Sequence, residues 1–184
     1  PQGMVFVTGP TGSGKSSTLF ACLNRIKHKA INITTIENPI EYKLDGVNQV
    51  QINEKAGVTF ASALRSILRQ DPDVILIGEI RDNETAQIAV QSSQTGHLVF
   101  STLHTNDALS AITRLKDLGI PGFLISSSIL AVIAQRLVRI LCSQCKEEAV
   151  LSDEQRSKWE SLLGNYPVPR SYISRGCKAC NNVG

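Results

Sequence analysis

The 184-residue chain carries 42% apolar and 19% charged residues and a formal charge of +3, the balance of a globular protein with one core and a small appendage. So small a charge argues against a nucleic-acid partner, which calls for a strong basic excess or a basic stripe. The most apolar stretch, residues 123–134, contains Ser126, Ser127 and Ser128 and falls short of the roughly 20 residues of a membrane span. With no span and no signal peptide read, the expectation is a cytoplasmic protein that meets a membrane only through partners.

In chain order, residues 4–8 read as a buried strand and 15–29 as a helix whose basic end, Lys27 to Lys29, suits the helix dipole. Residues 31–36 form a second strand, and the alternating 47–52 an edge strand. Residues 59–70 read as a helix stopped before Pro72, 74–78 as a strand, 84–94 as a helix, 98–102 as a strand, and 108–118 and 123–134 as helices. Strands alternating with helices predict an α/β fold with a mostly parallel sheet covered on both faces. After Leu141 the chain turns polar and cysteine-bearing, with one helical pattern at 154–163. The expected division is therefore 1–141 and 142–184. Both ends have the look of a cut from a longer chain.

The run Gly9-Pro10-Thr11-Gly12-Ser13-Gly14-Lys15-Ser16 fits the G-x-x-x-x-G-K-[ST] pattern between a strand and a helix, the context a phosphate loop requires. Its glycines let backbone N–H groups turn toward phosphates, and the helix N-terminus adds a favourable dipole. ATP is expected on residues Thr11 to Ser17, with Lys15 reaching the β- and γ-phosphates and Ser16 ligating Mg²⁺.

A nucleotide on such a sheet lies beyond the carboxyl ends of the strands, where Glu37, Glu79 and His104 are expected. Glu79, directly after an apolar strand, is the candidate for polarising the attacking water. Glu37 is a second carboxylate there, with Glu41 sharing its loop. His97 and His104 bracket one strand and stand roughly 23 Å apart if it is extended. His104 is therefore assigned to the γ-phosphate, and His97 to a structural or subunit contact at the other end. Arg65 and Arg69, four apart, share a helix face. They form either a solvated surface or a charge supplied to a neighbouring subunit's phosphates. Arg81 is a further candidate.

Two C-x-x-C pairs, Cys142/Cys145 and Cys177/Cys180, have the spacing of a tetrahedral Zn²⁺ site with all four positions filled by protein, hence structural. The intervening residues 146–176 are longer than a standard ribbon spacing. Cys22, inside the first helix, reads as a buried apolar residue.

Together these pieces resemble the type II secretion and type IV pilus-assembly ATPase family over essentially the whole chain. The phosphate loop is followed by Ile36-Glu37-Asn38-Pro39-Ile40-Glu41, similar to the family's aspartate box. Gly78-Glu79-Ile80-Arg81-Asp82 is similar to its second nucleotide motif, and the run from Thr95 to Thr105 to its histidine box. Asn38 stands where the family usually has aspartate and brings no charge, which leaves Glu37 and Glu41 as the box's charged groups.

The resemblance implies a RecA-like core with a zinc-bearing C-terminal subdomain, as in the secretion and assembly branch. It implies a homohexamer at the cytoplasmic face of the inner membrane, driving pseudopilus or pilus assembly through a membrane platform protein, with further N-terminal domains completing the pocket. It also matches Arg65 and Arg69 to the family's arginines. Two alternatives differ in class: a DNA or conjugation motor of the same superfamily, and a zinc-organised interaction module switched by nucleotide. The response of ATP turnover to DNA separates the first, and a Glu79→Gln variant the second.

Overall fold

A computed structural model describes residues 2–184. The chain divides into two compact units, Pro1–Leu137 and Val138–Gly184. The first is built on six strands: β1 (Gly3–Thr8), β2 (Ile33–Glu37), β3 (Asn48–Gln51), β4 (Val74–Ile77), β5 (Leu98–Leu103) and β6 (Ile129–Ala134). They lie in the order β3-β2-β4-β5-β1-β6, and every pairing is parallel. The helices are α1 (Lys15–Ile26), α2 (Phe60–Ile67), α3 (Asn83–Gln94), α4 (Ala108–Asp117) and α5 (Gly122–Ser128).

Strand alternation divides the core in two. Met4, Phe6, Ile75, Ile77 and Val99 face one layer, where Leu64, Ala86, Val90 and Leu115 from α2, α3 and α4 meet them. Val7, Val74, Leu76 and Phe100 face the opposite layer and pack on Leu19, Phe20 and Leu23 of α1. β4 is buried on both faces, as expected of a central parallel strand.

The helix expected over 123–134 is overturned. It ends at Ser128, and residues 129–134 form β6, paired with β1 from Met4↔Ile129 to Thr8↔Ala134 with a register shift after Met4. The β-branched Ile129, Val132 and Ile133 suit a pleated strand, and β1 offers an open edge for pairing. An apolar run of this length reads equally well as strand or helix. Two smaller differences matter at the site. The first helix stops at Ile26, so Lys27 is its C-cap, and Glu37 closes β2 instead of following it.

The second unit holds β7 (Lys146–Ala149) and β8 (Ser171–Ser174), paired antiparallel, with α6 (Asp153–Leu163) between them. These polar strands lie outside the elements expected from the sequence. Among the described residues no helix is long and apolar enough to cross a membrane.

Candidate functional site

The parallel topology brings the carboxyl ends of β1, β2, β4 and β5 to one edge. Over them lies a cleft of about 610 Å³ lined by Lys15, Ser16, Glu37, Glu79, Arg81 and His104, among others. Thr11, Gly12, Gly14 and Ser17 form its phosphate-loop wall. Three loop glycines take positive φ: Gly9 at 146°, Gly12 at 78° and Gly14 at 84°. A Cβ on Gly12 would meet nothing within 4 Å, so its positive φ, and not crowding, is what calls for glycine there.

α1 begins at Lys15 behind the N-cap Gly14, with no side-chain cap and no acid in its first turn. α2, α3 and α4 are instead capped by Thr59, Asp82 and Asp107. The free N–H groups and the dipole of α1 are thus left to an anion. Lys15 Nζ donates to the carbonyls of Gly9 (2.9 Å) and Pro10 (3.0 Å), which holds the ammonium across the loop. Ser13, assigned to nucleotide binding from the sequence, is buried, and its Oγ has no hydrogen-bond partner among the described residues.

Opposite the loop stand the carboxylates. Ser16 Oγ donates to Glu41 Oε1 at 3.0 Å. Glu37 is 4% exposed, and its Oε1 accepts from the Thr35 hydroxyl and from Gln49 Nε2 at 3.0 Å. Glu79, mostly buried, has Oε2 2.7 Å from Arg81 Nε and 3.5 Å from His104 Nε2. The oxygen donors Ser16 and Glu41 suit Mg²⁺, which takes one or two protein ligands alongside phosphate oxygens and water. Asn38 lines the same cleft.

Arg65 and Arg69 lie apart from this cleft. Arg65 is on α2 and ion-paired to Glu84 at the start of α3, while Arg69 is in the 3₁₀ turn Leu68–Gln70. His97 is at the opposite sheet edge, where its carbonyl accepts from Gly3 N and its Nδ1 lies 2.8 Å from Ser92 O. Cys22 is partly buried against the α1 face of the core. Gln49, Thr35 and Gln135 have no motif signal. The alternation through residues 47–52 locates Gln49 on an edge strand without showing that its amide reaches Glu37.

In the second unit the sulfurs of Cys142, Cys145, Cys177 and Cys180 lie within 4.8 Å of one another. Cys142–Cys177 is 4.0 Å, and Cys145–Cys180 and Cys177–Cys180 are each 3.8 Å. All four are free thiols, far beyond the roughly 2.0 Å of a disulfide. Four sulfurs about 2.3 Å from one zinc form a tetrahedron with edges of about 3.8 Å, so the donor set fits zinc in both identity and spacing. Donation from the N–H groups of Cys177 and Gly184 brings the Cys180 thiol down to about 6, whereas burial pushes that of Cys145 up to about 11.

A parallel sheet with a phosphate loop after its first strand and carboxylates beyond its neighbours defines the class: a RecA-like phosphate-loop nucleotide-binding protein. The profile of the type II/IV secretion system protein family matches residues 1–184, and the chain belongs to that family. It is 56% identical over its whole length to type II secretion system protein E of Dickeya dadantii and to type II secretion system ATPase E of Vibrio cholerae. It spans 36% of the length of each of these relatives. Among solved structures, the pilus retraction motor PilT with bound ADP superposes with a TM-score of 0.69 at 44% identity, over 74% of this chain and 43% of PilT. The Legionella pneumophila ATPase DotB gives 0.64 at 32% identity, over 74% of this chain and 41% of DotB.

Proposed function

We propose that this chain hydrolyses ATP as the motor part of a secretion or pilus-assembly machine. The observation that carries the reading is the convergence of an uncapped phosphate loop with the Glu79–Arg81–His104 cluster in one cleft. Lys15 and the N–H groups of residues 11–17 hold the phosphates. Mg²⁺, held by Ser16 with Glu41 beside it, supplies charge to the β- and γ-phosphates when bound. Glu79 orients and polarises the attacking water, and His104 beside it reads the γ-phosphate. Glu37 supports the second flank of the cleft. Such a site works by positioning and charge, because phosphoryl transfer needs little covalent help.

Arg65 and Arg69, outside their own chain's cleft, fit a role in trans within a homohexamer, where one subunit's arginines complete its neighbour's site. The unit up to Leu137 then carries the chemistry, and the tetracysteine unit is a zinc-organised module. The working location is the cytoplasmic face of the inner membrane, where a platform protein engages regions of the longer relatives outside this segment and a pseudopilus or pilus is assembled. The names of the relatives support the secretion role, and the motif resemblance to the secretion and pilus-assembly family supports the location and partners.

The test is Mg-ATP turnover by the full-length protein against its concentration, with Glu79→Gln as control. Turnover that climbs faster than concentration and vanishes in the variant supports a site completed between subunits. Equal turnover in the variant removes Glu79 from the chemistry.

A further inference from the structure

Gln135, the residue after β6, touches the phosphate loop at both of its ends. Its backbone N donates to Thr8 O at 2.8 Å, the last carbonyl of β1. Its own carbonyl lies so close to Gly9 that a Cβ there would stand 2.3 Å away. Its side chain then crosses to the far end of the loop. Oε1 accepts from the Thr18 hydroxyl in the first turn of α1 at 2.7 Å, and Nε2 stands 2.9 Å from where a Cβ of Gly14 would be. One residue thus spans the whole loop from Thr8 to Thr18. On the other side of β1, Thr105 N donates to Thr8 Oγ1 at 3.0 Å. The end of β1 is therefore held from both neighbouring strands.

We infer that Gln135 is a positioning residue for phosphate binding, working through its hydrogen bond to Thr18. The loop has three glycines at positive φ, residues that lose the most conformational freedom when ordered. A loop of that composition needs its span fixed from outside if its N–H groups are to converge before a ligand arrives. Preorganisation of this kind raises affinity by lowering the ordering cost of binding. The Gln135–Thr18 bond sets the distance between the strand end and the helix start, and so the curvature of residues 9–14. The inference rests on the nucleotide-site reading given above.

The test uses the full-length protein and Mg-ADP titrations of the native form, Gln135→Leu, Thr18→Val, the double variant and Lys15→Ala, with unliganded melting temperatures. Both single variants should weaken Mg-ADP roughly tenfold, the scale of one or two lost hydrogen bonds. The double variant should be no weaker than the poorer single one, because one bond is removed in each case. Melting temperatures without nucleotide should stay near native, and KM for ATP should rise with kcat changed by less than about threefold, the signature of lost uniform binding. Thr18→Val keeps the side-chain volume and serves where Gln135→Leu folds poorly. A native protein that fails to bind Mg-ADP overturns both the nucleotide reading and the brace. Native binding that Lys15→Ala abolishes, but that Gln135→Leu and Thr18→Val leave unchanged, overturns the brace alone. So does a loss of affinity that follows a fall in unliganded melting temperature.

Discussion

Glu79 Oε2 lies 2.7 Å from Arg81 Nε, two residues further along the chain and largely exposed. His104 Nε2 approaches the same oxygen at 3.5 Å from the end of the neighbouring strand. Both contacts fall on Oε2, and the proposed mechanism gives the attacking water to Oε1. Glu79→Gln keeps the shape and can keep the Arg81 contact but removes the charge that, in the mechanism proposed above, polarises the attacking water. Turnover should fall by roughly a hundredfold or more, the scale of a lost general base, while Mg-ATP still binds. Equilibrium binding of a non-hydrolysable ATP analogue beside steady-state turnover checks this, and a variant retaining a tenth of native turnover would contradict it.

Gln49 joins two parts of the cleft wall, Glu37 and the loop of Glu41. Its Nε2 donates to Glu37 Oε1 and to Tyr42 O, and its Oε1 accepts from Leu44 N at 2.8 Å. It therefore ties a buried carboxylate to the loop that carries Glu41. Gln49→Leu strips a charge-assisted bond from buried Glu37, a loss of about 2 kcal/mol. At the size of this domain that corresponds to a melting temperature roughly 5 °C lower. Thermal denaturation of the variant beside Glu37→Gln reads it. The double variant should recover part of the loss, since a neutral amide at 37 no longer demands the same partner.

The parts of the site legible from the sequence are those that local pattern specifies. The phosphate loop is contiguous, and Glu37, Glu79 and His104 sit at or just beyond the ends of buried strands. Parallel topology alone then brings them to one edge. Gln135 is different in kind. Its position depends on residues 129–134 pairing with β1 more than a hundred residues earlier, and nothing in an apolar run of that length distinguishes strand from helix until the partner is known. Arg65 follows the same logic. Its helix face is readable, but its ion pair with Glu84 depends on how α2 and α3 pack. The short strands β7 and β8, with sequences KEEA and SYIS, lack the apolar alternation that marks a half-buried strand.

Asp107 couples the His104 loop to α4. Its side chain accepts from the Ser110 hydroxyl at 2.6 Å and from Ser110 N at 2.8 Å. The Ser110 hydroxyl, then the Ser110 N–H, hold this carboxyl below its ordinary value. A carboxylate with a depressed folded-state pKa contributes stability above its unfolded value of about 3.9. That contribution is lost as pH falls through the lower folded value. Asp107→Ala should therefore melt below the native protein at pH 7, and the gap should narrow as pH drops below about 4. Melting curves from pH 7 to pH 2.5 check the sign, and a gap that widens on acidification would show that Asp107 acts through something other than its charge.

The tetracysteine cluster bears on folding more than on catalysis. No residue of α6 is buried, so the Val138–Gly184 unit has little apolar core of its own. Its two cysteine pairs flank the antiparallel β7–β8 pair, and a metal held at their centre would close the loop between them. Such closure makes metal-binding energy folding energy. One zinc per chain is expected by elemental analysis, falling to near zero in Cys177→Ser. Chelation should raise amide exchange throughout residues 138–184 while β1, β4 and β5 stay protected, because their core is the buried Pro1–Leu137 sheet. Bound zinc should also be lost on acidification, since protons compete with the metal for each thiolate. Retention of exchange protection in residues 138–184 after complete metal removal would mean that the β7–β8 pair and α6 hold themselves together without it.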